Sequence, residues 1–262
     1  MQPGTILENT NLKGGYFRIR FFHPDIAAAA TGGQFVHVKI AAMEANLLRR
    51  PFSIHDTDKN NNTVTLVYKV VGKGTEVMST LKVGDVCDLL GPLGCGYSNI
   101  PADTIPVFVA GGYGSAAMYI TAKNSPNKGV LMLGARSEAD VILNDRYEAL
   151  GFDSRIATND GSMGKKGFVT ELLDDVLKDY AGKKLRFCAC GPHPMLMALG
   201  KMLKEYGLDG ELSIDHKMCC GVGACFACVI KVNDPGSADG WRYARSCSEG
   251  PVFKLENVYL GE

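Results

Sequence analysis

A chain of 262 residues is long enough for about two domains, and 46% hydrophobic residues suit a globular protein. Lys+Arg and Asp+Glu both count 28, so no net field attracts nucleic acid or anionic lipid. No apolar run approaches the ~20 residues of a membrane span. The start lacks the basic and apolar regions of a signal peptide, and an odd cysteine count of 9 argues against a disulfide framework and for a reducing cytoplasm.

Residues 1–101 carry a β pattern. Tyr16–Phe22 is aromatic and partly alternating, Gly33–Ile40 alternates more clearly, and Thr63–Val71 is β-branched along much of its length. Asn60–Asn62 and Gly84-Asp85 mark turns. Many short strands with turn punctuation predict a small antiparallel barrel, closed by Gly91-Pro92-Leu93-Gly94. Inside this region lies Arg50-Pro51-Phe52-Ser53. A guanidinium clamps a pyrophosphate bidentately, Pro51 fixes a backbone angle, and the Ser53 hydroxyl suits the edge of a flavin ring. Gly72-Lys73-Gly74-Thr75 is a glycine turn opening a short helix. Thr75 is its candidate cap, and a helix N-terminus binds phosphate. Taken alone, Arg50 reads equally well as a surface charge, and the glycines as a hairpin turn.

Residues 102–210 change period. Ile105–Ala110, Val130–Gly134 and Leu185–Cys190 are short apolar runs, with helical patterns at Ser115–Lys123, Glu138–Leu150, Val169–Lys178 and Pro194–Tyr206. Strands alternating with helices predict a Rossmann-like parallel α/β domain. Its fingerprint is Gly111-Gly112-Tyr113-Gly114-Ser115-Ala116-Ala117, which from Gly112 reads G-x-G-x-x-A. The acidic residue expected about 20 positions on is missing. Arg136 follows the second strand instead and would suit a 2′-phosphate, so NAD and NADP both remain open. Thr158–Thr170 is a polar, glycine-rich loop that suits either a dinucleotide or a plain surface connection. Cys190-Gly191-Pro192 ends the third strand. No neighbouring base is evident for Cys188 or Cys190, so neither is argued to be a nucleophile.

Residues 211–262 form a short tail with Cys220, Cys225, Cys228 and Cys247. The first three follow C-x4-C-x2-C, and eighteen residues separate Cys228 from Cys247. This is the spacing of plant-type [2Fe–2S] ligation, in which four thiolates hold two irons. Gly221, Gly223, Ala224 and Ala227 let the backbone come close to sulfur. Zinc also takes all-cysteine sites, but usually from paired C-x2-C knuckles, and buried thiols are the plainest alternative. Cys219 competes with Cys220 as first ligand, and the x4 spacing favours Cys220. The five histidines are scattered and form no evident metal or triad pattern.

Arg50-Pro51-Phe52-Ser53, Gly111-Gly112-Tyr113-Gly114 and Cys190-Gly191-Pro192 occur in the order seen in the ferredoxin–NADP reductase superfamily, which the chain resembles over about residues 3–210. The resemblance implies an N-terminal FAD-binding barrel and a nicotinamide-binding α/β domain. It implies FAD contacts from Arg50 to Ser53, backbone contacts from Val67, Tyr68 and Lys69, and a phosphate held by Gly74 with Thr75. It also sets Cys190 near nicotinamide and flavin. Ala117-Met118 departs from the family, where a proline usually stands.

With the cysteine tail added, the whole chain resembles the electron-transfer subunits of class 1B dihydroorotate dehydrogenases. The resemblance implies FAD, a [2Fe–2S] cluster and NAD(H) as cofactors. The implied partner is an FMN-containing catalytic subunit in a heterotetramer of two each, oxidising dihydroorotate for pyrimidine synthesis. The resemblance places the dihydroorotate chemistry in that partner, so no general acid or base is named in this chain. The chain ends 15 residues after Cys247, so the cluster is expected to face a different polypeptide. Trp241 and Tyr243, in the loop before Cys247, are candidate contacts with it or a cover over the cluster. The nearest rival is the small subunit of an NADPH–ferredoxin transhydrogenase or sulfide dehydrogenase, expected to have a shorter final cysteine spacing. A rival of another class is a nucleotide-sensing regulator with a zinc-stapled tail.

Overall fold

The computed structural model describes residues 2–40, 48–214 and 217–261. The N-terminal strands β1 (Gln2–Lys13), β2 (Tyr16–Phe22), β3 (Phe35–Lys39), β4 (Arg50–Asp58), β5 (Thr63–Lys69) and β6 (Val86–Leu93) close into a barrel of order β1-β2-β5-β4-β3-β6. Each neighbouring pair is antiparallel. Two short helices flank the strands, α1 (Pro24–Ala29) and α2 (Lys73–Thr80). Alternation drives closure. In β2, Ile19 and Phe21 are buried inside while Arg20 and Phe22 face out. Burying each such side chain contributes about 1.5–3 kcal/mol.

Strand β3 breaks the alternation, because Phe35, Val36, His37 and Val38 are all buried. Val36 and Val38 join the barrel core. Phe35, on the opposite face, packs with Cys228 and Cys247. An outward strand face is dry here because the C-terminal tail lies over it.

The second unit is a seven-stranded sheet of order β10-β9-β8-β7-β11-β12-β15. Its strands are β7 (Ile105–Gly111), β8 (Val130–Ala135), β9 (Asp153–Thr158), β10 (Lys165–Lys166), β11 (Leu185–Cys190), β12 (Gly210–Ser213) and β15 (Val252–Lys254). All pairs are parallel except β12 with β15. Helices α3 (Gly114–Asn124), α4 (Asn144–Ala149), α5 (Leu173–Asp179) and α6 (His193–Glu205) connect them. Helix α3 is buried from Gly114 to Ala122, wedged between the sheet and barrel strand β4. The remaining strands, β13 (Val229–Asn233) and β14 (Trp241–Arg245), form a hairpin. Its Val232 and Ala244 enter the core of the sheet.

The structure departs from the sequence expectations at four points. The helix expected over Glu138–Leu150 is a single 3-10 turn at Glu138–Asp140 followed by α4. Leu143 adopts a left-handed φ of +66° between them, while Val141, Ile142 and Leu143 turn into the core. Trp241 and Tyr243 lie on strand β14 rather than in a loop. Thr75 is not the cap of α2, since Gly72 holds that position. The boundary at 210/211 falls inside β12, so the tail begins as part of the nucleotide-type sheet.

Candidate functional site

The barrel and the sheet meet at a cavity of about 460 Å³. All nine candidate flavin residues line it: Arg50, Pro51, Phe52 and Ser53 from β4, Val67, Tyr68 and Lys69 from β5, and Gly74 and Thr75 from the turn into α2. The turn forms because Thr75, at the third helical position, reaches back. Its Oγ1 accepts from the N–H groups of Val71 and Gly72 at 2.9 and 3.2 Å and donates to the Gly72 carbonyl at 2.9 Å. Gly74 packs closely under Arg50, where a Cβ would sit 3.1 Å from Nε. Tyr68 stacks on Phe17 with centroids 5.6 Å apart, and burial holds its phenol protonated, far above the ordinary range.

The opposite wall comes from the sheet: Tyr113, Gly114, Ala116 and Ala117 at the start of α3, and Cys190 at the end of β11. Tyr113, Ala116 and Ala117 carry no chemical signature and were not singled out in the sequence as flavin residues. Strand order reverses at β7, so the ends of β7 and β11 open the crevice where open α/β sheets take their ligands. The glycines there are steric necessities. A Cβ on Gly114 would lie 2.1 Å from the Cys190 carbonyl oxygen, and one on Gly111 would lie 2.5 Å from Pro192 Cδ and 3.3 Å from Gly191 Cα. Gly112 has a φ of +54°. Thus Gly111, Gly112, Gly114, Cys190, Gly191 and Pro192 form one knot of backbone.

Arg136 lies just past β8, outside the residues lining the cavity. Near it, Asp140 accepts from Lys69 Nζ at 2.6 Å and from the Tyr16 hydroxyl at 2.8 Å. The Lys69 hydrogen bond leads the influences that hold the Asp140 carboxyl below its usual range, and the Arg136 charge adds to it. A second link across the same seam uses His55, which is fully buried. Burial, then the Arg146 cation, push its pKa down to about 3, so the ring is neutral. Its Nδ1 then donates to Ala116 O at 3.2 Å and its Nε2 accepts from Arg146 Nη1 at 2.7 Å. Arg146 and Lys123 also pair with Asp56 at 3.2 and 2.9 Å.

The cysteine loop sits against β3, with Gly221 on His37 and with Cys228 and Cys247 on Phe35. Gly221 and Gly223 have φ of +71° and +81°, turning successive N–H groups inward. Burial pushes the Cys220 thiol up, but the N–H groups of Val222, Cys225 and Ala224, with the Cys225 thiol, bring it down to about 6. Burial and the neighbouring Cys228 thiol raise Cys247 to about 11. Among the described residues no three His, Cys, Asp or Glu side chains converge as around one ion. The Cys225 thiol bears on Cys220, and the Cys228 and Cys220 thiols bear on Cys247. Four cysteines brought into one another's electrostatic reach fit a centre of two irons held by four thiolates. Cys228 and Cys247 are buried against Phe35, which is paired in register with Ser53 on the cavity wall. Cys225 is exposed. His37 was also missed in the sequence, where it is one lone histidine in a strand. Burial, then the Arg49 cation, hold its pKa down to about 4.

A cavity between barrel and sheet, a glycine-lined crevice at the strand ends and a cysteine loop within one fold suit an oxidoreductase of the flavin and iron–sulfur reductase type. Residues 9–97 match the oxidoreductase FAD-binding domain, and residues 215–259 match the iron–sulfur cluster binding domain of dihydroorotate dehydrogenase B. The chain is 34% identical to the electron transfer subunit of dihydroorotate dehydrogenase B (NAD(+)) from Fusobacterium nucleatum subsp. nucleatum, across 98% of this chain and 97% of that one. It is 40% identical to the corresponding subunit of Geobacillus kaustophilus, across 87% and 86%. The chain therefore belongs to the electron transfer subunits of NAD(+)-dependent dihydroorotate dehydrogenase B. Among solved structures, a chain from an NADH-dependent reduced ferredoxin-NADP oxidoreductase superposes with a TM-score of 0.84 at 28% identity, across 99% of this chain and 91% of that one. A ferredoxin NADP+ reductase from Neisseria gonorrhoeae shares the two-domain fold, with a TM-score of 0.65 at 17% identity, across 79% and 91%. No helix among the described residues is long and apolar enough to cross a membrane.

Proposed function

We propose that this chain carries electrons between NAD(H) and a cluster facing an FMN-bearing catalytic subunit, in a cytoplasmic heterotetramer of two each. Nicotinamide moves a hydride, a [2Fe–2S] cluster moves single electrons, and a flavin does both, so FAD belongs between them. The observation that carries this reading is the register of β3 with β4. Phe35 lies opposite Ser53 in the flavin cavity and packs on Cys228 and Cys247 with its ring.

The residues divide the work. Residues 1–101 hold FAD, with Arg50 as the pyrophosphate cation, Phe52 and Tyr68 as apolar walls, and the Gly74-Thr75 turn presenting N–H groups. Residues 102–210 receive the nicotinamide, with Gly111, Gly112 and Gly114 admitting the pyrophosphate and Cys190-Gly191-Pro192 beside the reacting ring. Arg136 borders the ribose end. Residues 211–262 hold the cluster through Cys220, Cys225, Cys228 and Cys247. The outward side of that loop exposes Val222 and Phe226, with Tyr243 exposed on β14 nearby in sequence. An apolar rim beside an exposed ligand suits a partner that excludes water from the transfer path. Trp241 instead packs on Tyr243 and Tyr259 and under Lys231, so of the two aromatic residues Tyr243 is the contact.

The test is reconstitution with the catalytic subunit and measurement of dihydroorotate-dependent NAD+ reduction. The expected result is turnover that requires both chains. Activity with NADPH and ferredoxin but none with dihydroorotate would instead establish the transhydrogenase reading, which the 0.84 superposition keeps as the alternative.

A further inference from the structure

Five buried side-chain nitrogen or oxygen atoms have no hydrogen-bond partner among the described residues, and three of them flank the cysteine loop. Both ring nitrogens of His37 are unpartnered, and so is Oγ of Ser246, the residue before Cys247. His37 and Ser246 are fully buried. An unsatisfied buried polar group costs about 1–3 kcal/mol, so such groups persist where something pairs with them in the working molecule.

The position of His37 says what that partner is. A Cβ on Gly221 would meet His37 Nε2 at 2.7 Å and Cε1 at 2.8 Å, so the imidazole lies directly against the loop between Cys220 and Cys225. From the barrel side, His37 pairs in register with Pro51 of the flavin cavity. Its ring centroid is 5.6 Å from that of Phe35, which packs on Cys228 and Cys247. The ring thus stands between the flavin strand and the thiolates. A neutral imidazole offers one N–H donor, and the sulfur-rich loop is the acceptor-rich surface it faces.

We propose that His37 is a positioning residue of the iron–sulfur centre, directing a ring N–H at the cluster's sulfur atoms from the flavin side and so raising the potential at which the centre accepts an electron. Hydrogen bonds to sulfur favour the more negative, reduced cluster, and they are among the main determinants of such potentials. The inference rests on the cluster reading of the tail.

The test uses the full chain with FAD and cluster, and compares wild type with His37→Phe, which keeps a ring but no N–H, and His37→Gln, which keeps a donor. The readout is the cluster midpoint from a redox titration followed by electron paramagnetic resonance, with iron content measured beside it. In His37→Phe the reduced-to-oxidised ratio at the wild-type midpoint is expected to fall about two- to tenfold, the loss of one net hydrogen bond. His37→Gln recovers part of that shift. Cluster loss from His37→Phe with retention in His37→Gln also supports the role. An unchanged midpoint in His37→Phe, or cluster loss from both variants alike, overturns it. A wild-type chain carrying no iron–sulfur signal contradicts the reading of the tail instead, so the two failures are distinguishable.

Discussion

Gly114→Ala probes the seam between α3 and β11. The added methyl would stand 2.1 Å from the Cys190 carbonyl oxygen, 2.6 Å from its carbon and 3.2 Å from Gly191 N. All three atoms are backbone, so no side chain can swing aside. An ordinary carbon–oxygen contact is about 3.3–3.6 Å, which requires helix and strand to separate by about 1.2 Å. Overpacking of this kind costs about 1–3 kcal/mol. At about 2–4 °C per kcal/mol for a chain near this size, Tm should fall by about 2–12 °C. The functional loss should be larger. Gly114 and Cys190 both line the cavity wall, and a displacement near 1 Å costs about 100-fold in a positioned reaction. NADH-driven reduction of ferricyanide by the FAD-loaded chain measures this step without a partner subunit. The expected result is kcat/KM about 100-fold down with FAD retained, since Arg50 and Thr75 lie on the other wall. Wild-type rates together with a Tm within about 1 °C of wild type would refute the steric argument.

Arg50→Ala should raise the FAD dissociation constant by about 10- to 100-fold, the loss of one charge-assisted hydrogen bond, measured by flavin fluorescence on dilution. Thr75→Val removes the acceptor for Val71 and Gly72 N–H and should lower Tm by about 2–4 °C. Cys225→Ser should abolish the iron–sulfur spectrum while NADH-driven ferricyanide reduction survives; loss of both in a folded chain would contradict the order of carriers. His55 has a folded pKa near 3, against about 6.5 unfolded. Below pH ~6.5 the unfolded chain binds the proton first, so stability is present above that value and is lost as pH falls toward the folded pKa. Tm should therefore drop less between pH ~7 and ~5 in His55→Gln than in wild type. An equal drop would remove His55 from the acid response.

The legible parts of this chain were those whose chemistry is local. The C-x4-C-x2-C run, the Gly112–Ala117 turn and Arg50–Ser53 each lie within one loop or strand, so their order in sequence is their order in space, whereas Cys247 comes back only after the hairpin of β13 and β14. The paired strands β12 and β15 were not legible, because about forty residues separate Gly210–Ser213 from Val252–Lys254 and no short-range pattern announces their register. The break in the expected Glu138–Leu150 helix was hidden for a similar reason. Its period continues through Val141–Leu143, but a single left-handed residue turns all three side chains into a core built by other segments. His37 was invisible because its meaning depends on Gly221, 184 positions away, lying over it.

The two ends of the cysteine segment are sewn into the same fabric. It leaves the sheet at β12 and returns to it at β15, and Glu211 at its start receives Ser98 N and Oγ at 2.9 and 2.7 Å and pairs with Arg186 at 3.2 Å. At its close, Cys95 bridges to Pro251. A segment anchored this way is fixed to the sheet at both ends. Electron transfer from a cluster held there is expected to need no large motion of the segment, so thickening the solvent with glycerol should leave the internal transfer rate unchanged.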